Sequence, residues 1–115
     1  MAYDKLEVKK SLSLDNIFEL LTEWGGDPEY TEFGLLSATI CHNEPGEGSR
    51  KLYYYDNTKL FQCYTDCGHS FDIFELVLKV KTVREEPKYF YTTEGVTQRG
   101  WTLPDAIFFV AYFFG

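Results

Sequence analysis

Several things this sequence lacks narrow its identity before any motif is considered. No apolar run exceeds the stretch 106–114, far short of the ~20 residues a helix needs to cross a bilayer. No charged segment followed by an apolar one opens the chain, so a secretory leader is not expected and a soluble cytoplasmic protein, with no membrane partner, is. Positive charge is scarce: eleven Lys and Arg stand against eighteen Asp and Glu, for a net charge of −7 and a pI near 4.7. That balance excludes a chain-wide basic surface for gripping phosphates but leaves room for a local basic patch. At 115 residues, against a prior of ~150 per domain, one domain spanning 1–115 is expected and a large multidomain enzyme is not. Cysteines number three, an odd count that suits a reducing compartment and a metal site better than a disulfide framework. Internal repeats and low-complexity segments are absent as well.

Aromatic residues, by contrast, are abundant. Ten Phe, nine Tyr and two Trp make up 18% of the chain, while the 44% hydrophobic and 25% charged contents are those of an ordinary globular protein. Rings supply much buried area to a small core, and they also stack on nucleic-acid bases, so each must be assigned separately.

Hydrophobic spacing divides the chain into short elements of an α+β fold. Leu14, Ile17, Phe18, Leu21 and Trp24 recur at helical spacing over 14–24, with Ser13 placed as cap, Asp15 in the first turn and Gly25-Gly26-Asp27-Pro28 as the stop. Residues 30–40 read as one or two strands with Gly34 at a turn or bulge, and 43–49, containing Pro45, Gly46 and Gly48, as a loop. Leu52–Tyr55 and Lys59–Tyr64, separated by Asp56-Asn57-Thr58, form a hairpin pattern. A helix over 71–80 follows, with Ser70 as cap and Phe71, Phe74, Val77 and Leu78 as its stripe; 81–87 reads as a charged linker. Residues 88–92 and the Glu94-Gly95 pair suggest a second hairpin. Thr102-Leu103-Pro104-Asp105 has the form of a capping box and opens a helix over 103–114 with Gly115 at its end. That helix is apolar on nearly every side and is expected to be buried or docked.

All three cysteines and both histidines lie between positions 41 and 69: Cys41, His42, Cys63, Cys67 and His69. Thiolates and imidazoles are the ligands tetrahedral zinc prefers, and one pair before a hairpin with another after it is a zinc-ribbon arrangement. Cys63-x-x-x-Cys67 has ordinary ligand spacing. Cys41 and His42 are adjacent, and neighbouring side chains on a strand point to opposite faces, so both reach one ion only if the backbone turns there. His69 is the substitute for either of them. The plainer alternative, three inert cysteines and two unrelated histidines, does not account for their crowding into one short stretch.

These residues carry a resemblance. Phe61-Gln62-Cys63-Tyr64 leading to Cys67-Gly68-His69-Ser70 and Phe71-Asp72-Ile73-Phe74 resembles the second half of the Cys-His-Cys-Cys zinc-binding domain of bacterial and phage DNA primases. His42-Asn43-Glu44 resembles its first-half signature, the helix 14–24 its N-terminal helix, and Thr102-Leu103-Pro104-Asp105-Ala106-Ile107 its closing helix, so the likeness covers roughly 8–115. The family usually has two residues between its first Cys and the His, where this chain has none, and two between its second pair, where this chain has three. A phage or mobile-element enzyme fits that divergence. The resemblance implies a zinc-ribbon-like antiparallel sheet over about 30–69 flanked by helices, with structural Zn2+ held by Cys41, His42, Cys63 and Cys67. It also implies a non-catalytic module that reads single-stranded DNA template for RNA primer synthesis in replication. Its partners would be the primase catalytic domain, absent from this chain, and a replicative helicase.

Strand binding needs cations beside aromatic platforms. The hairpin offers Arg50, Lys51 and Lys59 beside Tyr53 and Tyr55, which share one face, opposite Leu52 and Tyr54. With a net charge of −7, binding by the domain alone is expected to be weak and salt-sensitive. The competing reading is a zinc-stabilised module whose helix 106–114 docks on a replication partner. A cysteine-based enzyme using Cys67 and His69 is disfavoured, since only Asp66 and Asp72 are at hand to orient the pair.

Overall fold

The computed structural model describes residues 4–44, 46, 49–65, 67 and 69–114. Of the sequence-derived features, Pro45 and Gly48 in the loop, Asp66, Gly68 and the terminal Gly115 lie outside the described residues. The first element, α1 (Lys5–Ser11), was not announced by any apolar periodicity. Asp4 caps it by accepting the N–H groups of Leu6 and Glu7 at 2.9 and 3.3 Å, and Lys5 ties it to Asp72 across 3.0 Å. Helix α2 (Leu14–Glu23) starts on a reciprocal pair: Asn16 N–H donates to Ser13 Oγ and Ser13 N–H donates to Asn16 Oδ1. Both bonds satisfy donors that a helix start leaves free. It buries Ile17, Leu20 and Leu21. At its end Gly25, with φ of 78°, donates to Thr22 O while Gly26 N–H donates to Leu21 O, closing a Schellman turn.

Five short strands follow: β1 (Glu29–Tyr30), β2 (Gly34–Ser37), β3 (Leu52–Tyr55), β4 (Leu60–Cys63) and β5 (Ser70–Phe71), each antiparallel to the next in sequence. The register aligns Leu35, Tyr54, Phe61 and Phe71 in one row and Ser37, Leu52 and Cys63 in a second row of the same face. All seven side chains are buried, so period-2 alternation assigns this face to the core. Helix α2 covers it together with α3 (Ile73–Val83), which contributes Ile73, Phe74, Leu76, Val77 and Val80.

Helix α3 starts two residues later than the sequence suggests. Ser70 and Phe71 are not helical but pair with Gln62 and Phe61 as β5, and the cap is Asp72, whose carboxylate accepts the Glu75 N–H at 3.0 Å. The expected linker begins later too, because Lys81, Thr82 and Val83 continue the helix. A separate hairpin, β6 (Lys88–Thr92) with β7 (Gly95–Arg99), leads to α4 (Leu103–Phe114), which packs against α3 and α1. Helix α4, expected to be buried or docked, is buried along one side and open on the other. Ala106 and Val110 are buried, while Leu103, Phe108 and Tyr112 face outward. The chain is therefore α+β, a small antiparallel sheet flanked by helices.

Thr102 and Asp105 act as the capping motif suggests, with a difference in detail. The Thr102 hydroxyl donates to Asp105 Oδ2, as does its backbone N–H, and Arg99 adds a charged bond at 2.6 Å. Partial burial pushes the Asp105 carboxyl upward, but the Arg99 guanidinium and the Thr102 donors outweigh it and hold its pKa at about 2.

Two outcomes follow from these contacts. A Cβ on Gly34, whose φ is 157°, would lie 2.1 Å from Tyr54 O, while one on Gly100 meets nothing within 4 Å. Urea unfolding should therefore show Gly34→Ala destabilised by more than ~2 kcal/mol and Gly100→Ala within about 0.5 kcal/mol of wild type. A pKa lowered by folding contributes stability above the unfolded value near 4 that is lost as pH falls toward the folded value. The stability advantage of wild type over Asp105→Asn, ~1 kcal/mol at neutral pH, should accordingly shrink between about pH 4 and the Asp105 value of about 2, as read from denaturation curves across that range.

Candidate metal centre

The site is built where two chain segments meet at one end of the sheet. Strand β4 delivers Cys63 on its core-facing side, in register with Leu52. The segment after β2 supplies the other half, and it turns sharply there. His42 and Asn43 both donate their backbone N–H to Thr39 O, at 3.2 and 3.0 Å, and the Asn43 amide donates to Thr39 Oγ1 at 2.9 Å. Thr39 is fully buried, its own N–H bonded to Ser49 O. In such a helical turn adjacent side chains diverge by about 100° rather than the 180° of a strand, which removes the obstacle posed by adjacent Cys41 and His42.

The donor atoms of Cys41, His42, Cys63 and Cys67 all lie within 4.8 Å of one another, so this group could hold a metal ion. His42 Nδ1 is 3.3, 3.7 and 3.6 Å from the sulfurs of Cys41, Cys63 and Cys67, and the Cys41 and Cys67 sulfurs are 3.5 Å apart. A tetrahedron with Zn–S of about 2.3 Å and Zn–N of about 2.0 Å requires S···N near ~3.5 Å and S···S near ~3.8 Å. The residues fit a zinc-sized ion. His69, the expected substitute, is not in the group: its Nδ1 lies 2.7 Å from Cys67 O and its Nε2 is 3.8 Å from Glu75.

Electrostatics favour the same occupant. Burial raises the Cys41 thiol, and the neighbouring Cys67 and Cys63 sulfurs raise it further; burial raises Cys67 also. Cys63 differs. Burial pushes it up too, but the Thr65 hydroxyl and the backbone N–H groups of Cys67 and Thr65 hydrogen-bond its sulfur and bring it down to about 7. Three crowded thiols oppose one another's ionisation, and a divalent cation reverses that penalty. Thr65 Oγ1 lies 3.2 Å from Cys63 Sγ and 3.2 Å from His42 Nε2. It can donate to the sulfur and accept from the imidazole, which leaves Nδ1 as the metal-facing nitrogen. Thr39 and Thr65 were not singled out from the sequence, and Asn43 only as part of the His42-Asn43-Glu44 resemblance. Only Thr65, two residues past a ligand cysteine, carried a signal.

Of the residues expected to contact a strand, the two tyrosines lie on the sheet's other face and the three cations differ in what engages them. Tyr53 and Tyr55 do share that face, half-buried, and pack with Phe33 and Tyr64: Phe33 is 5.6 and 5.0 Å from the two rings, and the Tyr55 and Tyr64 hydroxyls are 2.8 Å apart. Arg50 is engaged by Asp27 at 3.5 Å and Glu29 at 3.7 Å, and Lys59 donates to Leu12 O at 3.3 Å beside Asp56. Lys51 is exposed.

Comparison with known proteins adds one relation. The chain is 44% identical over 84 residues to the SPbeta prophage-derived uncharacterized protein YorJ of Bacillus subtilis (strain 168), an alignment covering 71% of this chain and 22% of that protein. The chain thus spans about a fifth of the length of the relative it matches. No protein-family model matches the chain, and no solved structure does.

Because the four ligands would join two segments separated in sequence by the β3–β4 hairpin, metal removal should unfold this end of the sheet. Metal analysis should give one zinc per chain. Complete chelation should abolish the cooperative thermal transition, as should Cys63→Ser, and a transition unchanged after full metal removal would exclude a structural role for the site.

Proposed function

We propose that this chain is a structural-zinc module of a DNA primase, contributing recognition of the single-stranded DNA template during RNA primer synthesis. The observation that carries the reading is the Cys41, His42, Cys63 and Cys67 centre at the end of an antiparallel ribbon, set in the sequence context that resembles the primase zinc-binding domain. All four ligands would come from the protein, leaving no open position for a water, so the ion would hold the two segments together and do no chemistry. The catalytic work of priming would belong to a separate domain. A prophage-derived relative far longer than this chain supports a phage or mobile-element module of a larger protein.

Under this reading the outer face of the ribbon meets the template. Tyr53, Tyr55, Phe33 and Tyr64 supply aromatic area there, and Lys51 supplies an available cation. With the whole chain at −7, affinity in isolation is low, and tethering to the catalytic domain or to a replicative helicase supplies the effective concentration. A second reading, docking on a replication protein, is favoured by the outward-facing Phe108 and Tyr112 of α4, whose rings stack 5.9 Å apart.

Titrating labelled single-stranded oligonucleotide at low salt decides between them. Template recognition predicts binding that falls as salt rises and weakens severalfold in the Arg50→Ala, Lys51→Ala double variant. An absence of binding at every salt concentration would discard it in favour of docking.

A further inference from the structure

We propose that His69 is a positioning residue for the metal centre, holding Cys67 in place through its backbone and so setting how fast a bound ion escapes. The proposal rests on the zinc part of the reading above and is independent of strand binding. His69 is the member of the clustered Cys and His residues that the four-ligand group leaves out. Its Nδ1 lies 2.7 Å from Cys67 O. A carbonyl oxygen only accepts, so Nδ1 carries the proton and donates it. That proton bars Nδ1 from a metal, while Nε2 stands 3.8 Å from Glu75, at the start of α3.

Cys67 is the ligand most in need of such a hold. Cys41 and Cys63 are buried and Cys67 only partly so. Cys63 belongs to β4 and Cys41 sits in the turn anchored by Thr39, whereas Cys67 lies in the connection between β4 and β5. Both of its backbone polar groups are engaged. Its N–H donates to the Cys63 sulfur, a bond between two ligands that does not itself tie Cys67 to the next strand. Its carbonyl accepts from His69, and that bond does. Directly after His69, Ser70 pairs with Gln62 in the ladder and donates its hydroxyl to Gln62 Oε1 at 2.7 Å, and the buried Phe71 pairs with Phe61. The His69 ring stands edge-on to Phe71, 5.9 Å between centres.

The sheet thus fixes His69, and His69 fixes Cys67. Its side chain is 56% exposed, so removing it leaves the core intact and takes away little besides this hold. An ion bound by four ligands leaves stepwise, and the ligand that detaches first controls the rate. Partly exposed and outside any strand, Cys67 is that ligand. Outer contacts of this kind are worth roughly 10–100-fold in metal affinity.

The test loads the full chain with zinc and follows transfer of the ion to a chromophoric chelator at neutral pH. His69→Ala should release zinc about tenfold faster than wild type. His69→Asn should restore the wild-type rate, because its amide nitrogen is as many bonds from the main chain as Nδ1 and donates likewise. His69→Gln, with its amide one bond farther out, should not. Loaded with Co2+, all three variants should keep the wild-type ligand-field and thiolate charge-transfer bands, since no ligand has changed. If His69→Ala does not fold with zinc bound, the contrast between the Asn and Gln variants decides. Release at the wild-type rate from His69→Ala, or equally fast release from the Asn and Gln variants, overturns the proposal while the metal centre stands. Altered cobalt bands in His69→Ala would make His69 a ligand and overturn it too. A wild-type chain that takes up no metal overturns both the proposal and the centre.

Discussion

The pairing of β3 with β4 is the constraint on which the rest depends. Its register sets Leu52 opposite Cys63 and Tyr54 opposite Phe61, so the same alternation that buries the aromatic row also aims a ligand sulfur at the metal centre. A slip of one residue would turn Phe61 and Cys63 outward together. Core burial and ligand placement are thus enforced by one set of hydrogen bonds, and the burial of Phe61, at 0% exposure, protects the register more strongly than the ladder alone could. Cys41 and His42 join from a segment anchored by the buried Thr39, and Cys67 from the turn after β4. The donors of Thr65 and the Cys67 backbone then tune the sulfur they surround.

Much of this architecture was legible in the sequence wherever the cause was local. Helix α2 followed from its apolar spacing, Ser13 and the Gly25-Gly26 pair; the β3–β4 hairpin from its alternation; the metal cluster from crowded Cys and His. Where the cause was distant, the reading missed. Ser70 and Asp72 are both good caps, and the choice between them is made by Phe71 pairing with Phe61 across the sheet. Helix α1 has no apolar stripe of its own and is anchored by Lys5 on the buried Asp72 carboxylate. The turn that lets adjacent Cys41 and His42 reach one ion was required by the sequence reading but not located by it, because the Thr39–Asn43 contact that closes it joins two ordinary polar residues. Arg50 looked free for the same reason: its partners Asp27 and Glu29 lie more than twenty residues away.

Charge and aromaticity, the two compositional oddities, separate in space once the fold is known. Acidic side chains engage cations of the ribbon, as Asp27 and Glu29 do with Arg50 and Asp56 with Lys59. Around the second hairpin, cations meet rings as well as carboxylates: Lys81 and Lys88 lie over Trp101 at 4.9 and 5.0 Å and Arg99 over Phe90, while Lys81 also pairs with Glu86 and Arg99 with Asp105. Aromatic residues therefore serve three purposes. Phe61, Phe71 and Phe74 fill the core, Trp101 and Phe90 hold cations, and Tyr89 and Tyr91 remain outside.

Strand order in the main sheet is the order of the sequence itself, β1 through β5, and this bears on how the molecule is made. Every pairing is between neighbours, so each strand can add to the last as the polypeptide leaves the ribosome, with residues 38–51 the longest connection to close. Low contact order of this kind favours fast folding. The exception is the metal centre, whose half-sites at Cys41-His42 and Cys63-Cys67 are separated by the whole β3–β4 hairpin. A metal ion could therefore bridge the two half-sites only once synthesis has passed Cys67, after the β3–β4 hairpin and before α3, the second hairpin and α4 have emerged.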